Sequence, residues 1–226
     1  GRDVEYNPVF LAHLYIDHSR TVLFIDDAKL STEMQQRFAL DNIEILAYNA
    51  SIKFLLELKQ QNILIDPAKV SISSAQAIEQ QSHLVQDINP SSLFKSRKHP
   101  SEIAHVRSAM TKDGVALCHF FHWLDNALAD KESINELTID EKISGFRAQQ
   151  AGFIGLSFST IAGFNANGAL PHYRATEESF SEISGDGLLL IDSGAQYDEG
   201  TTDITRVVPI GTASAEQKCD YTLVLK

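Results

Sequence analysis

Two aspartates near the end of the chain have the spacing of a paired carboxylate site. Asp192 and Asp203 lie eleven residues apart and each sits on a predicted strand, so a hairpin over residues 193–202 would bring them side by side. Two close carboxylates repel each other unless a cation lies between them, and hard divalent ions such as Mn²⁺ prefer such oxygen ligands. From the spacing alone, the more ordinary interpretation places one aspartate in the Ser193-Gly194 bend and the other on a solvent face.

One histidine, His172, has a sequence context that is compatible with catalysis. It follows residues 165–168, a turn-forming segment of asparagine, alanine and glycine. An imidazole there would act as a proton shuttle or a substrate-binding donor, because its unperturbed pKa lies near neutrality. An isolated loop histidine is nevertheless more often a surface residue. His119 and His122 stand three residues apart on a predicted helix, but their aromatic neighbours favour a packed helix face over a metal site.

The composition limits the kinds of partner that the protein can have. Thirty acidic and 19 basic residues give a formal net charge of −11, which argues against a nucleic-acid partner. The longest apolar runs, such as residues 188–191, are far too short to cross a bilayer, and the first residues lack the pattern of a secretory signal. We therefore expect a cytoplasmic protein without a membrane partner, in which Cys118 and Cys219 are free thiols.

Residues 1–90 have the alternating pattern of a layered α/β domain. Apolar runs predict strands at residues 22–25, 43–47, 63–65 and 84–85, and helical patterns lie between them at residues 31–40, 51–60 and 74–81. Such alternation predicts a partly parallel sheet with flanking helices. A turn cluster and a basic segment at residues 91–99 then predict a linker between domains.

Residues 100–226 have a different pattern, which is typical of an α+β domain. The longest helical pattern runs from Pro100 to Ala129, and a second helix, predicted to start at a capping box over residues 138–141, runs to about Gln150. The first of these helices has apolar residues at steps of three and four, which predict one buried face: Ile103, Val106, Met110, Leu117, Phe121, Leu124 and Leu128. Residues 188–193 and 201–208 predict two antiparallel strands with a short connection.

The residues around the two aspartates resemble the first metal-binding hairpin of the aminopeptidase P (Xaa-Pro aminopeptidase) family of M24 metallopeptidases. The resemblance covers residues 190–206, and it extends in the same order and spacing to residues 146–151, 156–158 and 167–173. It implies that residues 100–226 form the N-terminal half of a pita-bread catalytic domain, truncated before its second half. More weakly, residues 1–90 resemble the second creatinase-type N-terminal domain of the long, three-domain form of the family.

The resemblance also implies roles for individual residues. Asp192 and Asp203 correspond to metal ligands, and His172 corresponds to a histidine that contacts the substrate and helps to move protons. The implied cofactors are two divalent metal ions, Mn²⁺ in first place, with zinc or cobalt as alternatives. The implied reaction is hydrolysis of the bond between an N-terminal residue and a following proline, on peptide substrates with proline at the second position. A homodimer is implied for the full-length form.

The family completes its metal site with a histidine and two glutamates that follow the hairpin, and nothing after Asp203 matches them. We therefore expect a fragment that lacks the first N-terminal domain and the second half of the catalytic domain, and we expect the isolated 226 residues to be inactive. The alternative is a catalytically dead M24-like module for binding or dimerisation. A creatine-type amidinohydrolase on the same fold is a third, weaker interpretation.

Overall fold

The computed structural model describes residues 3–226, which form two compact units. One unit is Val9–Lys98, and the other combines the chain up to Pro8 with His99–Lys226. The domain boundaries predicted above, with a linker at residues 91–99, stay a prediction. Residues 91–96 of that segment are helical, however, since they belong to the helix Pro90–Ser96. Asn89 is the N-cap of this helix, and its Oδ1 accepts a hydrogen bond from Ser91 N at 2.9 Å.

The unit Val9–Lys98 contains a mixed three-stranded sheet and a parallel strand pair. Its strands are β1 (His13–Ile16), β2 (Thr21–Phe24), β3 (Ile43–Leu46), β4 (Asn62–Ile65) and β5 (His83–Gln86). Its α-helices are α1 (Thr32–Leu40), α2 (Ser51–Glu57), α3 (Ile72–Glu79) and α4 (Pro90–Ser96). β2 pairs antiparallel with β1 and parallel with β3, and β4 pairs parallel with β5. The predicted partly parallel α/β arrangement is confirmed, but the sequence patterns predicted neither strand β1 nor helix α4.

Two long helices follow, α5 (Pro100–Ala129) and α6 (Glu136–Ala148). The predicted bounds of α5 are confirmed, and Pro100 lies in its first turn, where a missing N–H leaves no bond unmade. The capping box predicted at residues 138–141 is wrong. Asn135 Oδ1 accepts from Thr138 N at 2.9 Å, and the Thr138 hydroxyl also donates to it, so α6 begins earlier, at Glu136.

The predicted buried face of α5 is correct only in its second half. Leu117 and Leu124 are buried, but Ile103, Val106 and Met110 are exposed. The buried residues of α5 form a stripe of small, polar and aromatic side chains: Ala109, Asp113, Ala116, Leu117, Phe120, Leu124 and Ala127. The stripe departs from the apolar pattern for two reasons. In the first half of α5, the small residue Ala109 packs directly against Ala195 and Tyr197. Asp113 is buried because it has a buried partner, described below.

The remaining strands are β6 (Phe153–Leu156), β7 (Ile161–Phe164), β8 (Gly187–Ser193), β9 (Ala195–Tyr197), β10 (Gly200–Thr201) and β11 (Ile204–Ile210), followed by α7 (Ala215–Leu225). They form two antiparallel sheets, one in the order β7-β8-β11 and the other in the order β6-β9-β10. The predicted antiparallel pair, β8 with β11, is confirmed. Its connection is not a simple turn, because β9 and β10 form a hairpin within it.

The core of this unit lies between the two long helices and the sheet β7-β8-β11. Along β8, Leu189 and Ile191 are buried in a cluster with Phe120 of α5 and Ile143 of α6. Side chains alternate between the faces of a strand, so Asp192 lies on the face opposite to this cluster. Among residues 3–226, no helix is both long and apolar enough to cross a membrane.

Candidate metal centre

Asp192 occupies the central strand of its sheet, close to the end of β8. It pairs with Ile161 of β7 on one side and with Thr205 of β11 on the other. The Thr205 hydroxyl donates a hydrogen bond of 2.8 Å to Asp192 Oδ1, which orients the carboxylate. The backbone of Asp192 is therefore held by both neighbouring strands, and its side chain is half-buried.

Gly194 forms the corner at which the chain leaves β8 for β9. Its carbonyl accepts a hydrogen bond from Ser157 N at 3.1 Å. A Cβ atom at this position would overlap the Thr202 carbonyl oxygen and the Ser157 hydroxyl oxygen. Only glycine allows the two backbones to approach so closely, which explains the Ser-Gly pair directly after Asp192.

Thr202 fixes the returning chain directly before Asp203. Its hydroxyl accepts a 2.9 Å hydrogen bond from Ala195 N, and its own N–H donates to the Ala195 carbonyl at 2.8 Å. The Ser157 hydroxyl donates to the Thr202 carbonyl at 2.8 Å. Thr202 is 1% exposed, so these bonds replace water for its polar groups. The backbone that carries Asp203 is thus held by Ala195 of β9 and by Ser157, the residue that follows β6.

The register places both aspartates on one face of the sheet. Asp203 itself is not in a strand, contrary to the prediction, but it directly precedes β11, and Thr205 lies opposite Asp192. Asp203 and Thr205 point to the same face because side chains alternate along extended chain. Partial desolvation together with the Asp192 charge raises the pKa of Asp203, so the two carboxylates lie close enough to interact. The predicted proximity of the two carboxylates is confirmed.

A buried ion pair supports this corner from the helix side, and the sequence analysis assigned no role to either of its members. Arg147 on α6 and Asp113 on α5 are both 0% exposed. Arg147 Nε and Nη2 donate to the two Asp113 oxygens at 2.7 and 2.9 Å, and Nη2 also lies 3.3 Å from the Ser193 carbonyl. The Tyr197 hydroxyl donates to Asp113 at 2.9 Å, and burial together with Asp113 raises the pKa of Tyr197. In the sequence, the available sign of this ion pair was Asp113, a charged residue among the buried residues of α5.

His172 lies in an exposed turn after β7, with a left-handed backbone at a φ of 58°. Within residues 3–226 it makes no hydrogen bond to either aspartate. The next residue, Tyr173, donates a 2.7 Å hydrogen bond to Glu136 Oε2, and burial followed by that bond raises its pKa to about 12. Glu136 is a buried carboxylate that the sequence did not single out. The structure therefore places His172 beside an anchored residue, with its own side chain exposed.

The described residues offer ligands that suit hard divalent metal ions, but only a few of them lie together. Asp192 and Asp203 provide carboxylate oxygens, the ligands that such ions prefer. Within residues 3–226, the His, Cys, Asp and Glu side chains form no group of three or more that is suited to a metal ion. His119 stacks on Phe146, and His122 lies 3.2 Å from the Asn126 amide. Both histidines are exposed, so they do not lie on the packed face of α5 as predicted. The two aspartates thus match a metal in chemistry and supply only part of a coordination shell.

Comparisons with known proteins agree with the two-unit fold. Residues 104–226 match the model of metallopeptidase family M24, and residues 1–102 match the creatinase/prolidase N-terminal domain. Xaa-Pro aminopeptidase 1 of Dictyostelium discoideum is 37% identical over the whole chain, and Xaa-Pro aminopeptidase ApepP of Drosophila melanogaster is 34% identical. The chain spans only 36% and 37% of the length of these two relatives.

A comparison with solved structures also finds an aminopeptidase of similar fold. An X-prolyl aminopeptidase from Caenorhabditis elegans, described as a cytosolic enzyme with a di-nuclear active site, superposes with a TM-score of 0.90 at 28% identity. The match covers 99% of this chain and 37% of the other. The predicted fold class, a creatinase-type domain followed by pita-bread architecture, is confirmed.

Proposed function

Because the chain belongs to metallopeptidase family M24, we propose that the whole protein is an aminopeptidase that hydrolyses the bond between an N-terminal residue and a following proline. The observation that carries the proposal is the pair of interacting carboxylates, Asp192 and Asp203, on one face of a sheet. Two relatives named Xaa-Pro aminopeptidase, 37% and 34% identical over the whole chain, support this choice of substrate. The proposal concerns the whole protein, of which these residues supply a part.

The proposed cofactors are two divalent metal ions, with Mn²⁺ as the proposed metal and zinc or cobalt as alternatives. Asp192 and Asp203 would hold them, and the di-nuclear site of the Caenorhabditis elegans neighbour supports the number. When bound, such ions activate a water molecule and polarise the carbonyl that is attacked. The remaining ligands would come from outside these 226 residues, so we expect the isolated chain to be inactive.

The residues of this chain have distinct parts in that reaction. Asp192, oriented by the Thr205 hydroxyl, and Asp203, fixed by the Thr202 backbone, would present their oxygens in a constant geometry. His172 would hydrogen-bond the substrate, since its ring is exposed and has no hydrogen-bond partner within residues 3–226. A rigid carboxylate pair and an accessible imidazole are suited to metal-assisted hydrolysis.

The remaining proposals concern the substrates, the oligomeric state and the cellular location of the whole protein. Peptides with proline at the second position are the proposed substrates, and a homodimer is the proposed state of the full-length protein. The cytosolic description of the Caenorhabditis elegans neighbour supports a cytoplasmic location.

The test is a comparison of two tripeptide substrates that differ only at the second position. With Mn²⁺, the whole protein should release the first residue from a peptide with proline there and leave the alanine analogue largely intact. Asp203→Asn should abolish the release, whereas Asp220→Asn, an exposed aspartate on α7, should not change it. Equal cleavage of both peptides, or full activity in Asp203→Asn, would contradict the proposal.

A further inference from the structure

Glu136 is a buried carboxylate that contacts four hydrogen-bond donors. It is 0% exposed and begins α6. Its Oε1 accepts from Phe164 N at 2.7 Å, and its Oε2 accepts from the Tyr173 hydroxyl at 2.7 Å and from Ser181 N at 2.8 Å. The Asn167 side-chain amide lies 3.0 and 3.1 Å from the two oxygens. Residues 3–226 provide no cation for it, so these bonds alone compensate for the buried charge.

The four donors come from the beginning, the middle and the end of one loop. Phe164 is the last residue of β7, and Ser181 lies before the buried Ile183, whose N–H donates to the Ile134 carbonyl at 2.8 Å. Between them, residues 165–180 contain no β-strand and no α-helix, only a short 3₁₀ turn, Asn165–Ala169. The Glu136 carboxylate therefore connects three parts of a loop that contains no strand or α-helix of its own. His172 lies within this loop.

We propose that Glu136 is a positioning residue that acts through Tyr173 to fix the backbone of His172. The inference rests on the proposed function, in which the His172 ring meets the substrate. His172 has a φ of 58°, a left-handed conformation that is unfavourable for a non-glycine residue and so needs support from its surroundings. Tyr173 supplies that support at both ends, since its N–H donates to the Leu170 carbonyl at 3.2 Å and its hydroxyl donates to Glu136.

The geometry also predicts which substitutions disturb the loop. In Glu136→Gln, an amide N–H₂ replaces one carboxylate oxygen, and either orientation of the amide places it against at least one backbone N–H donor. Tyr173→Phe is milder, because it removes a single donor and keeps the ring. Glu177→Gln is the matched control, since Glu177 is an exposed glutamate of the same loop.

The first experiment measures amide hydrogen exchange in the whole protein and does not depend on activity. In Tyr173→Phe and in Glu136→Gln, exchange over residues 164–181 should become at least roughly tenfold faster, because local opening costs less, while α5 and β8 keep their protection. Glu177→Gln should not differ from the parent protein. If Glu136→Gln unfolds globally, Tyr173→Phe decides alone. Unchanged exchange of the loop in Tyr173→Phe overturns the proposal.

The second experiment is a double-mutant cycle with His172→Ala, measured as kcat and KM on a proline-containing tripeptide. Tyr173→Phe should lower kcat by roughly tenfold to a hundredfold in the parent, because a small displacement of a reacting group has effects of that size. It should have almost no further effect in the His172→Ala background. An equal loss in both backgrounds overturns the link to His172. If the parent protein cleaves no peptide, the proposed function fails, and hydrogen exchange still decides whether Glu136 anchors the loop.

Discussion

Removing Arg147 should strongly destabilise the unit around the metal centre. Arg147→Met deletes the guanidinium that donates to both Asp113 oxygens at 2.7 and 2.9 Å. Asp113 is 0% exposed and, among residues 3–226, keeps only the Tyr197 hydroxyl as a donor. Leaving a charge buried without its partner costs about 3–5 kcal/mol. We expect the free energy of unfolding to fall by that amount.

Two matched variants distinguish the cost of an unpaired buried charge from the cost of changed side-chain packing. Arg147→Met combined with Asp113→Leu removes both charges, and such replacements are often neutral or stabilising. The Tyr197 hydroxyl then lacks its acceptor, so the double variant should recover at least half of the loss rather than all of it. Arg107→Met, an exposed arginine on α5, should change the free energy of unfolding by no more than about 0.5 kcal/mol.

The assay is urea unfolding followed by tryptophan fluorescence. Trp123 is the single tryptophan of these 226 residues, and it packs against the core cluster of the same unit, so it reports on this unit. The reasoning is refuted if Arg147→Met costs less than about 1 kcal/mol, the size of one ordinary hydrogen bond. It is equally refuted if the double variant is less stable than Arg147→Met alone.

Two further predictions concern the corner between the aspartates. Gly194→Ala should destabilise the unit by about 3 kcal/mol or more, because the new Cβ atom would overlap the Thr202 carbonyl, and urea unfolding checks this against Gly145→Ala, where a Cβ atom meets open space. In the absence of divalent ions, stability should decline as the pH rises through the elevated folded-state pKa of Asp203 and should be largest below the ordinary value of 3.8. Asp203→Asn should flatten this part of the profile, and an unchanged profile would show that the two carboxylates do not interact.

Local patterns were sufficient to predict the elements that carry the site. The bounds of α5 follow from Pro100 and a long helical period, and β8 follows from the continuous apolar run at residues 188–191. The proximity of Asp192 and Asp203 follows from two strands that are close in sequence. Each of these features depends on neighbours along the chain, where period and turn chemistry are informative.

The buried polar residues that support the site could not be predicted in the same way. Arg147 meets Asp113 across 34 residues of sequence, and Glu136 meets Ser181 across 45. Neither pairing has a periodic signal, because each depends on how α5, α6 and the loop pack in three dimensions. The start of α6 was misplaced for a local reason, since Asn135 is a better N-cap than Thr138 and it accepts the bond that the helix needs.

Metal stoichiometry tests the central claim most directly. The whole protein, freed of metal and titrated with Mn²⁺ under calorimetric or spectroscopic detection, should bind two ions, and Asp192→Asn or Asp203→Asn should remove at least one of them. Asp220→Asn, on an exposed aspartate far along the chain in α7, should bind two ions as the parent does. Unchanged binding in both site variants would contradict the assignment of the carboxylate pair. It would favour a catalytically inactive M24-like module that binds or dimerises.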